Sequence, residues 1–492
     1  MSKTAIIMII VAVYVAVMVI ISIMSAKKAQ TLTAFVVGGR KAGAWMSAFS
    51  YGTTYFSAVL FIGYAGKSGF QFGGWATLIG IANAVLGSYL AWKVLAEKTR
   101  KYTRRLKIKS MPQFFEKRYN SKILRLFTVA VIFIFMLPYS ASVYSGLSYL
   151  CESVFNISYE FIMMLIAVIA GLYLIIGGYG ATLIADFFQG IIMIGGMILM
   201  TLYVVNSNDV GGFSGLIENS KKFFETSSIF PTNGQMIINL LGLVFLTSVG
   251  TWGMPQMIHK FYGISDKKAI KKGTIVSTVF ALIISGGSYF VGGLSRFFFD
   301  KEPSGGYDTI IPQMLTKTLP DVLLGIILVL VLSASISTLS GITLTSCSSV
   351  SMDFIGHLKK DMDRKNILII TRVLCFLFIA FSYAIAYFKI PIINLMAFSW
   401  GTISGGFLAP YMLGLHWKKM NKIGAYAGMI GGISINLVLS ALKVFESPVC
   451  GVIAMAASFI LCFIGTKIGE SCGLNTKEEE KFFTEDLTLE NN

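Results

Sequence analysis

The stretch SYGTTYFSAVLFIGYAG, residues 50–66, belongs to an apolar run long enough to cross a membrane, but small and hydroxyl-bearing residues interrupt it. A second apolar run is interrupted in the same manner at TSVGTWGMP, residues 247–255. The proline at the end of this stretch removes an intrahelical hydrogen bond and kinks the helix. A helix broken inside a membrane leaves backbone groups that need an ion, a solute or a polar partner. The two stretches therefore predict a pair of broken spanning helices.

The composition of the whole chain is that of a membrane protein. Apolar residues make up 55% of the 492 residues and charged residues only 13%, whereas a soluble protein carries about 25% charged residues. Many apolar runs reach about 20 residues, the length that an α-helix needs to cross the hydrocarbon core. The net charge of +17 is explained by basic loops on the cytoplasmic side of a membrane, so we expect no nucleic-acid partner.

Thirteen spanning helices are predicted, and the chain is expected to be an all-α membrane protein. The approximate spans are 4–25, 43–66, 70–95, 124–149, 157–177, 181–206, 236–263, 270–299, 321–352, 366–387, 390–415, 423–443 and 446–466. The strongly basic segment AEKTRKYTRRLKIKSMPQFFEKRYNSK follows the third span. Because lysine and arginine are enriched in cytoplasmic loops, this segment puts the N-terminus outside and the C-terminus inside.

The two broken helices predict an internal repeat. They are the second and seventh spans, so each begins a five-helix unit, residues 43–206 and 236–415. An odd number of helices gives the two units opposite orientations, which is the inverted repeat of leucine-transporter-type proteins. We expect one transmembrane domain over residues 1–474 and a flexible cytoplasmic tail at 475–492.

The ninth span is unusually rich in hydroxyl groups. Between Ser333 and Ser351 it reads SASISTLSGITLTSCSSVS, in which eleven of nineteen residues are serine or threonine. Positions 334, 337, 338 and 341 follow the spacing of one helix face. Hydroxyl and carbonyl oxygens are hard, neutral ligands, which hard cations prefer, so this face is a candidate sodium site. Close packing of small residues between membrane helices would explain the same composition.

Asp186, in GGYGATLIADFFQG, is the one carboxylate that we predict inside a span. An acid within a membrane marks a candidate ion or proton site. Asp186 also lies near the start of its predicted helix, where an acidic side chain interacts favourably with the helix dipole. The sequence leaves both interpretations open.

Several motifs together resemble the sodium/solute symporter family, and the likeness covers nearly the whole chain. They are SASISTLSG in the ninth span, GGYGATLIADFFQG, SMPQFFEKRY after the third span, GMPQMIHKFYGISDKKAIKKG at the seventh and SWGTISGGFLAPYMLGLHW in the eleventh. The seventh and eighth spans look most similar to the bacterial sodium/proline branch of that family.

The resemblance implies a sodium site between the second and ninth spans. The implied ligands are the carbonyl oxygens of Thr53, Phe56 and Ala334 and the hydroxyls of Ser337 and Thr338. Some family members hold a second sodium with an acid that matches Asp186 and hydroxyls of the ninth span. Here Ser340 is retained, but Gly341 stands where those members have another serine.

The resemblance also implies a solute pocket among Phe56, Ser57, Tyr139, Thr251 and Pro255. Tyr139 and Pro255 match the sodium/proline branch. Tyr55, however, replaces an aspartate of that branch, and Thr247 and Thr251 replace an aromatic pair. The sequence therefore leaves the solute open.

The predicted function is sodium-coupled symport of a small organic solute, such as an amino acid or a carboxylate, by alternating access. The expected location is the inner cell membrane, where the chain is multi-pass and its partners are the solute, sodium and the lipid bilayer, without an obligate protein partner. No HExxH or GxSxG motif is found, so we expect no enzyme. The alternatives are a proton-coupled symporter on the same fold, with Asp186 as relay, and a channel or sensor.

Overall fold

A computed structural model describes residues 3–26, 36, 40, 42–155, 158–225, 232–358, 362–473, 479 and 482–483 of the chain. Within these ranges the secondary structure is helical, apart from one isolated bridge between Ala42 and Ile264. The all-α prediction is therefore confirmed for the described part of the chain.

The first half of the chain contains ten helices among the described residues. They are α1 (Lys3–Ala26), α2 (Ala44–Tyr55), α3 (Ala65–Phe72), α4 (Thr77–Ala82), α5 (Glu97–Arg105), α6 (Met111–Tyr119), α7 (Lys122–Phe155), α8 (Tyr159–Val205), α9 (Gly212–Glu218) and α10 (Ser220–Phe224). A π-helical segment, Val59–Tyr64, leads into α3, and two more, Asn83–Leu90 and Trp92–Ala96, connect α4 to α5. Helices α9 and α10 are short and lie after the sixth predicted span.

The second half of the chain contains eleven helices in its described part. They are α11 (Asn233–Ser248), α12 (Pro255–Tyr262), α13 (Lys267–Ala281), α14 (Gly287–Phe298), α15 (Ile310–Thr318), α16 (Asp321–Ser348), α17 (Gly356–Leu358), α18 (Arg364–Ala386), α19 (Ile392–His416), α20 (Lys422–Ala441) and α21 (Ser447–Ser471). A π-helical segment, Leu282–Gly286, joins α13 to α14, and Ser349–Ile355 continues α16.

Both predicted helix breaks are present. Helix α2 ends at Tyr55, and Phe56 is extended, with φ −109° and ψ 112°. Helix α11 ends at Ser248, passes through one 3₁₀ segment and resumes as α12 after Met254, which is extended at φ −80° and ψ 120°. Proline is favoured at the first position of a helix because its missing N–H has no helical partner there, which explains why α12 begins at Pro255.

Ten helical segments in the described ranges are long and apolar enough to cross a membrane, and Ala5–Ile21 and Tyr159–Ile169 are shorter apolar helices. The multi-pass architecture is thus supported. Helix α8 is continuous through the predicted boundary between the fifth and sixth spans. The count of thirteen spans and the orientation of the two ends stay predictions.

The centre of the molecule is formed by α16 and α19. In each of these two helices, 89% of the residues in the most apolar 18-residue stretch are buried, compared with 33% in the peripheral helix α18. Helix α16 carries the hydroxyl-rich stretch and packs on α1, α7 and α8. A central helix without a lipid-facing side has no need for an entirely apolar surface, which is why so many hydroxyls are tolerated there.

The segment after the third span is anchored to the ends of spanning helices. The Asp353 carboxylate accepts hydrogen bonds from Ser110, Gln113 and Arg125. The buried Arg118 guanidinium donates to carbonyl oxygens at the end of α19, including that of Gly414. The basic segment is therefore a packed part of the domain.

The predicted flexible tail is described at only three positions. Phe482 packs against Tyr102, with ring centroids 4.6 Å apart, and Glu479 accepts a hydrogen bond from the backbone of Lys422. Phe483 stacks near the Arg118 guanidinium at 4.8 Å. The rest of the tail prediction lies outside the described residues.

Helices α3 and α14 approach each other closely through glycines. A Cβ atom added at Gly292 would lie 2.1 Å from the carbonyl oxygen of Ala65, and one added at Gly69 would lie 1.9 Å from the carbonyl carbon of Gly292. Both contacts are with backbone, which cannot move aside as a side chain can.

We expect Gly292→Ala to lower the free energy of unfolding by about 3 kcal/mol, the upper end of the usual range for overpacking. Gly195→Ala is the matched control, because nothing lies within 4 Å of its added Cβ. That control should be neutral or slightly stabilising, since alanine favours helix by about 1 kcal/mol over glycine. Thermal unfolding in detergent checks both variants, and equal melting of Gly292→Ala and wild type would contradict the packing.

Candidate ion and solute site

The broken end of α2 is held by the central helix α16. The last four carbonyls of a helix have no hydrogen-bond partner within it. The Thr338 hydroxyl lies 3.3 Å from the carbonyl oxygens of both Thr53 and Thr54. A side chain of the ninth predicted span therefore faces the freed backbone of the second.

Ser337 adds a second contact between the same two helices and connects them to α8. Its hydroxyl donates to Oδ1 of Asp186 at 2.7 Å and lies 2.9 Å from the Thr53 hydroxyl. Asp186 is 1% exposed. The hydroxyl pair of α16 thus lies between the end of α2 and a buried carboxylate.

Of the five predicted sodium ligands, Ser337 and Thr338 each lie within hydrogen-bond distance of Thr53, Ser337 of its hydroxyl and Thr338 of its carbonyl oxygen. Phe56 is buried in the extended segment that follows α2, and Ala334 is buried on the face of α16 that also carries Thr338. The predicted oxygens are neutral and shielded from water, which suits a hard monovalent cation.

A small cavity of about 20 Å³ lies beside this cluster, next to both helix breaks. Its lining residues are mostly aromatic or polar and uncharged: Tyr55, Phe56, Ser57, Leu60, Tyr64, Asn83, Thr247, Tyr289, Met396 and Trp400. This volume is far below that of ligand pockets, about 300–1,000 Å³, so a solute requires the cavity to widen.

Two of the five predicted solute residues, Phe56 and Ser57, line this cavity. Tyr139 does not line the cavity but packs against the lining residue Trp400, with the two rings edge-on and their centroids 5.5 Å apart. Thr251 and Pro255 are buried elsewhere on the second break, where the Thr251 hydroxyl donates to the Ser248 carbonyl at 2.6 Å.

A model of the family "Sodium:solute symporter family" matches residues 35–432. The chain belongs to this family. The predicted resemblance is confirmed, and with it sodium as the coupling ion and a transport rather than an enzymatic activity.

Relatives of this symporter include proteins named sodium/proline symporter from Staphylococcus aureus and from its strain JH9. Each is 28% identical to the chain, and the alignment covers 87% of this chain and 85% of the relative.

Solved structures share the fold of this symporter. A substrate-bound, outward-open Na⁺-coupled sialic acid symporter superposes with a TM-score of 0.79 at 19% identity, covering 94% of this chain and 97% of that one. Mhp1, a nucleobase-cation-symport-1 family transporter, in a closed conformation with bromovinylhydantoin, gives a TM-score of 0.55 at 14% identity, covering 91% and 97%. The leucine-transporter-type fold is thus supported.

The sequence did not predict that a lysine lies beside Asp186 in this symporter. The Lys260 ammonium lies 3.3 Å from Oδ2 of Asp186 and 2.8 Å from the Ser50 hydroxyl, which itself donates to Asp186 at 2.5 Å. Lys260 lies in α12, the half-helix after the break, and is 4% exposed. A lysine five residues after Pro255 within an apolar run was the available signal.

The hydroxyl of the candidate second-ion residue Ser340 donates to the Ser337 carbonyl of its own helix at 2.9 Å. At Gly341 an added Cβ would lie 3.2 Å from Cγ2 of Thr54. The Thr54 hydroxyl oxygen lies 3.6 Å from the same added Cβ.

Sequence reasoning also missed most of the cavity wall. Asn83 accepts hydrogen bonds from the hydroxyls of Thr247 and Ser248 at 2.9 and 2.8 Å, and the Tyr55 hydroxyl donates to the Thr247 carbonyl at 2.5 Å. These contacts tie the third predicted span and the first break to the second break. They involve residues far apart in the chain, which no local motif reveals.

Buried donors without a partner surround the same cavity. The hydroxyls of Tyr64, Tyr139 and Tyr289 and the indole N–H of Trp400 have no hydrogen-bond partner of ordinary geometry. Buried polar groups are almost always hydrogen-bonded in folded proteins, and exceptions need an explanation. A polar solute in the cavity would supply the missing acceptors.

Proposed function

We propose that this protein is a symporter that carries a small organic solute into the cell together with sodium, by alternating access. The observation that carries the proposal is the contact of Thr338 with the freed carbonyls of Thr53 and Thr54. Backbone that is released by a helix break and faced by hydroxyls is the arrangement from which transporters build cation sites. The bacterial relatives support the cell membrane as its location.

The sodium ion is coordinated by the carbonyl oxygens of Thr53, Phe56 and Ala334 and by the hydroxyls of Ser337 and Thr338. Support comes from the burial of all five residues and from the contacts of Ser337 and Thr338 with Thr53. Because the set is neutral, the bound ion adds its full charge to the loaded carrier. The membrane potential then contributes about 2.3 kcal/mol per 100 mV to inward movement of that charge.

The solute binds in the cavity beside Phe56 and Ser57, with Tyr139 behind Trp400 and with Thr251 and Pro255 shaping the second break. The lining carries no charged side chain, which favours a solute of zero net charge, such as a zwitterionic amino acid. A carboxylate remains within the proposed class, because amide groups freed at the two breaks can donate to it.

Coupling between sodium and the solute follows because both bind at the broken end of α2. Sodium at the broken end fixes α2 against α16, and the solute binds to the residues that immediately follow. Each ligand therefore strengthens the binding of the other by the same factor. Opening to the inside separates α2 from α16 and releases both.

Reconstituted protein in liposomes tests this function with a panel of radiolabelled neutral amino acids and carboxylates. Uptake should require an inward sodium gradient and should stop when choline replaces sodium. Uptake that persists without sodium and follows a proton gradient would instead establish the proton-coupled alternative, with Asp186 as relay. Sodium current without any solute movement would establish a channel.

Removal of one unpaired cavity hydroxyl tests the solute site by itself. We expect Tyr64→Phe to raise the KM for the solute about 3- to 10-fold, the value of one neutral hydrogen bond. Stability without solute should be unchanged or higher, because the hydroxyl has no partner there. Tyr144→Phe is the matched control: its hydroxyl is also buried and unpaired, but Tyr144 does not line the cavity. Equal KM values in both variants would contradict this location.

A further inference from the structure

Four helices meet at the buried ion pair of Asp186 and Lys260. Asp186 lies in α8, Lys260 in α12, Ser50 in α2 and Ser337 in α16. The ammonium of Lys260 is 3.3 Å from Oδ2 of Asp186 and 2.8 Å from the Ser50 hydroxyl. The other carboxylate oxygen, Oδ1, accepts from Ser337 at 2.7 Å. Both charged side chains are almost completely buried.

We infer that the Lys260 ammonium is a resident cation that occupies the position of a second transported ion at Asp186, so that the protein carries a single sodium per cycle. The inference rests on the proposed function and specifies its stoichiometry. A buried carboxylate needs a positive partner. Here the chain itself provides that partner.

The oxygens of Asp186 are already engaged in the presence of Lys260. Both carboxylate oxygens are already engaged, Oδ2 by Ser50 and Lys260 and Oδ1 by Ser337. The Ser340 hydroxyl donates to a carbonyl of its own helix, and Gly341 has no side chain. A hard cation in a protein takes several oxygen ligands, and while Lys260 is in place its ammonium engages Oδ2 of Asp186 and the Ser50 hydroxyl.

The position of Lys260 in the chain gives the resident cation a mechanical role. Helix α12 is the half-helix that follows the second break, and α2 is the half-helix that precedes the first. The ammonium therefore joins both broken helices to α8, as an ion at this point would. Unlike an ion, it is covalently attached and cannot be released, so it neutralises Asp186 in every cycle without being transported.

Equilibrium binding of ²²Na⁺ to the purified full-length protein counts the sites. We expect one sodium per chain in wild type. Lys260→Met removes the ammonium and should allow a second sodium to bind at Asp186, giving two per chain. The second ion should be lost again in Lys260→Met/Asp186→Asn. Lys260→Arg keeps the cation and should stay at one, as should Lys67→Met, which removes a lysine elsewhere.

Two sodium ions in wild type would overturn the inference while leaving sodium coupling intact, and this measurement does not depend on any variant folding. A count of one in correctly folded Lys260→Met, judged by a single symmetrical elution peak, would also overturn it. No binding at all in wild type would instead overturn the proposed function and the inference with it.

Discussion

Lys260→Met is expected to lower the free energy of unfolding by about 3–5 kcal/mol in sodium-free buffer, the usual effect of removing one partner of a buried ion pair. The carboxylate of Asp186 is 1% exposed and would remain buried with hydroxyl partners only. Five of the six cysteines are buried and free. A thiol-reactive fluorescent dye during a thermal ramp therefore reports the unfolding of the variant and of wild type.

The double variant Lys260→Met/Asp186→Asn is the control for this prediction. This double variant removes both charges, so no unpaired carboxylate is left buried. Its loss of unfolding free energy should therefore be smaller than the sum of the losses in the two single variants. Strictly additive losses would mean that the two side chains do not interact. High sodium should restore much of the stability of Lys260→Met, because the ion can replace the ammonium.

Ser337→Ala/Thr338→Ala is expected to reduce sodium-driven solute uptake at least about 100-fold, which corresponds to roughly 2.7 kcal/mol of lost binding free energy. The change removes two of five proposed ligands and also the contacts with Thr53 and Thr54. Initial uptake rates measured across a wide range of sodium concentrations separate a loss of sodium affinity from a loss of maximal rate.

The matched control removes one hydroxyl of α16 and one at the start of the π-helical segment that continues it. The Ser335 hydroxyl donates to the Val331 carbonyl and the Ser349 hydroxyl to the Thr345 carbonyl, both within four residues. Ser335→Ala/Ser349→Ala should keep nearly normal sodium dependence, since such local hydrogen bonds carry no contact with α2. An equal loss of uptake in both double variants would indicate that helix packing, not ion binding, explains the hydroxyl content.

The helix breaks could be predicted from sequence because their cause is local. Proline at position 255 has no N–H to donate, and this alone determines where α12 can begin. The hydroxyl-bearing face of α16 was predictable for the same reason, since helical periodicity places positions 334, 337 and 338 together. The contact of Thr338 with the end of α2 agrees with the pairing of the second and ninth spans.

The partners of Asp186 and the cavity wall could not be predicted in this way. Lys260 is 74 residues away from Asp186 in the chain, and only the folded arrangement of α8 and α12 brings them together. Asn83, Tyr289 and Trp400 come from three other predicted spans, and each would be assigned to packing if considered alone. The sequence left open whether Asp186 belongs to an ion site or interacts with the helix dipole. In the structure, side chains of three other helices contact its carboxylate.

Sodium-dependent thermal stability of the wild-type protein tests the central claim most directly. The melting temperature is measured while sodium replaces choline at constant ionic strength, because a ligand of the native state stabilises it by mass action. Our account predicts saturable stabilisation in wild type and in Ser335→Ala/Ser349→Ala, and none in Ser337→Ala/Thr338→Ala. A wild-type melting temperature that does not respond to sodium, or an equal response in all three proteins, would contradict a sodium site between α2 and α16.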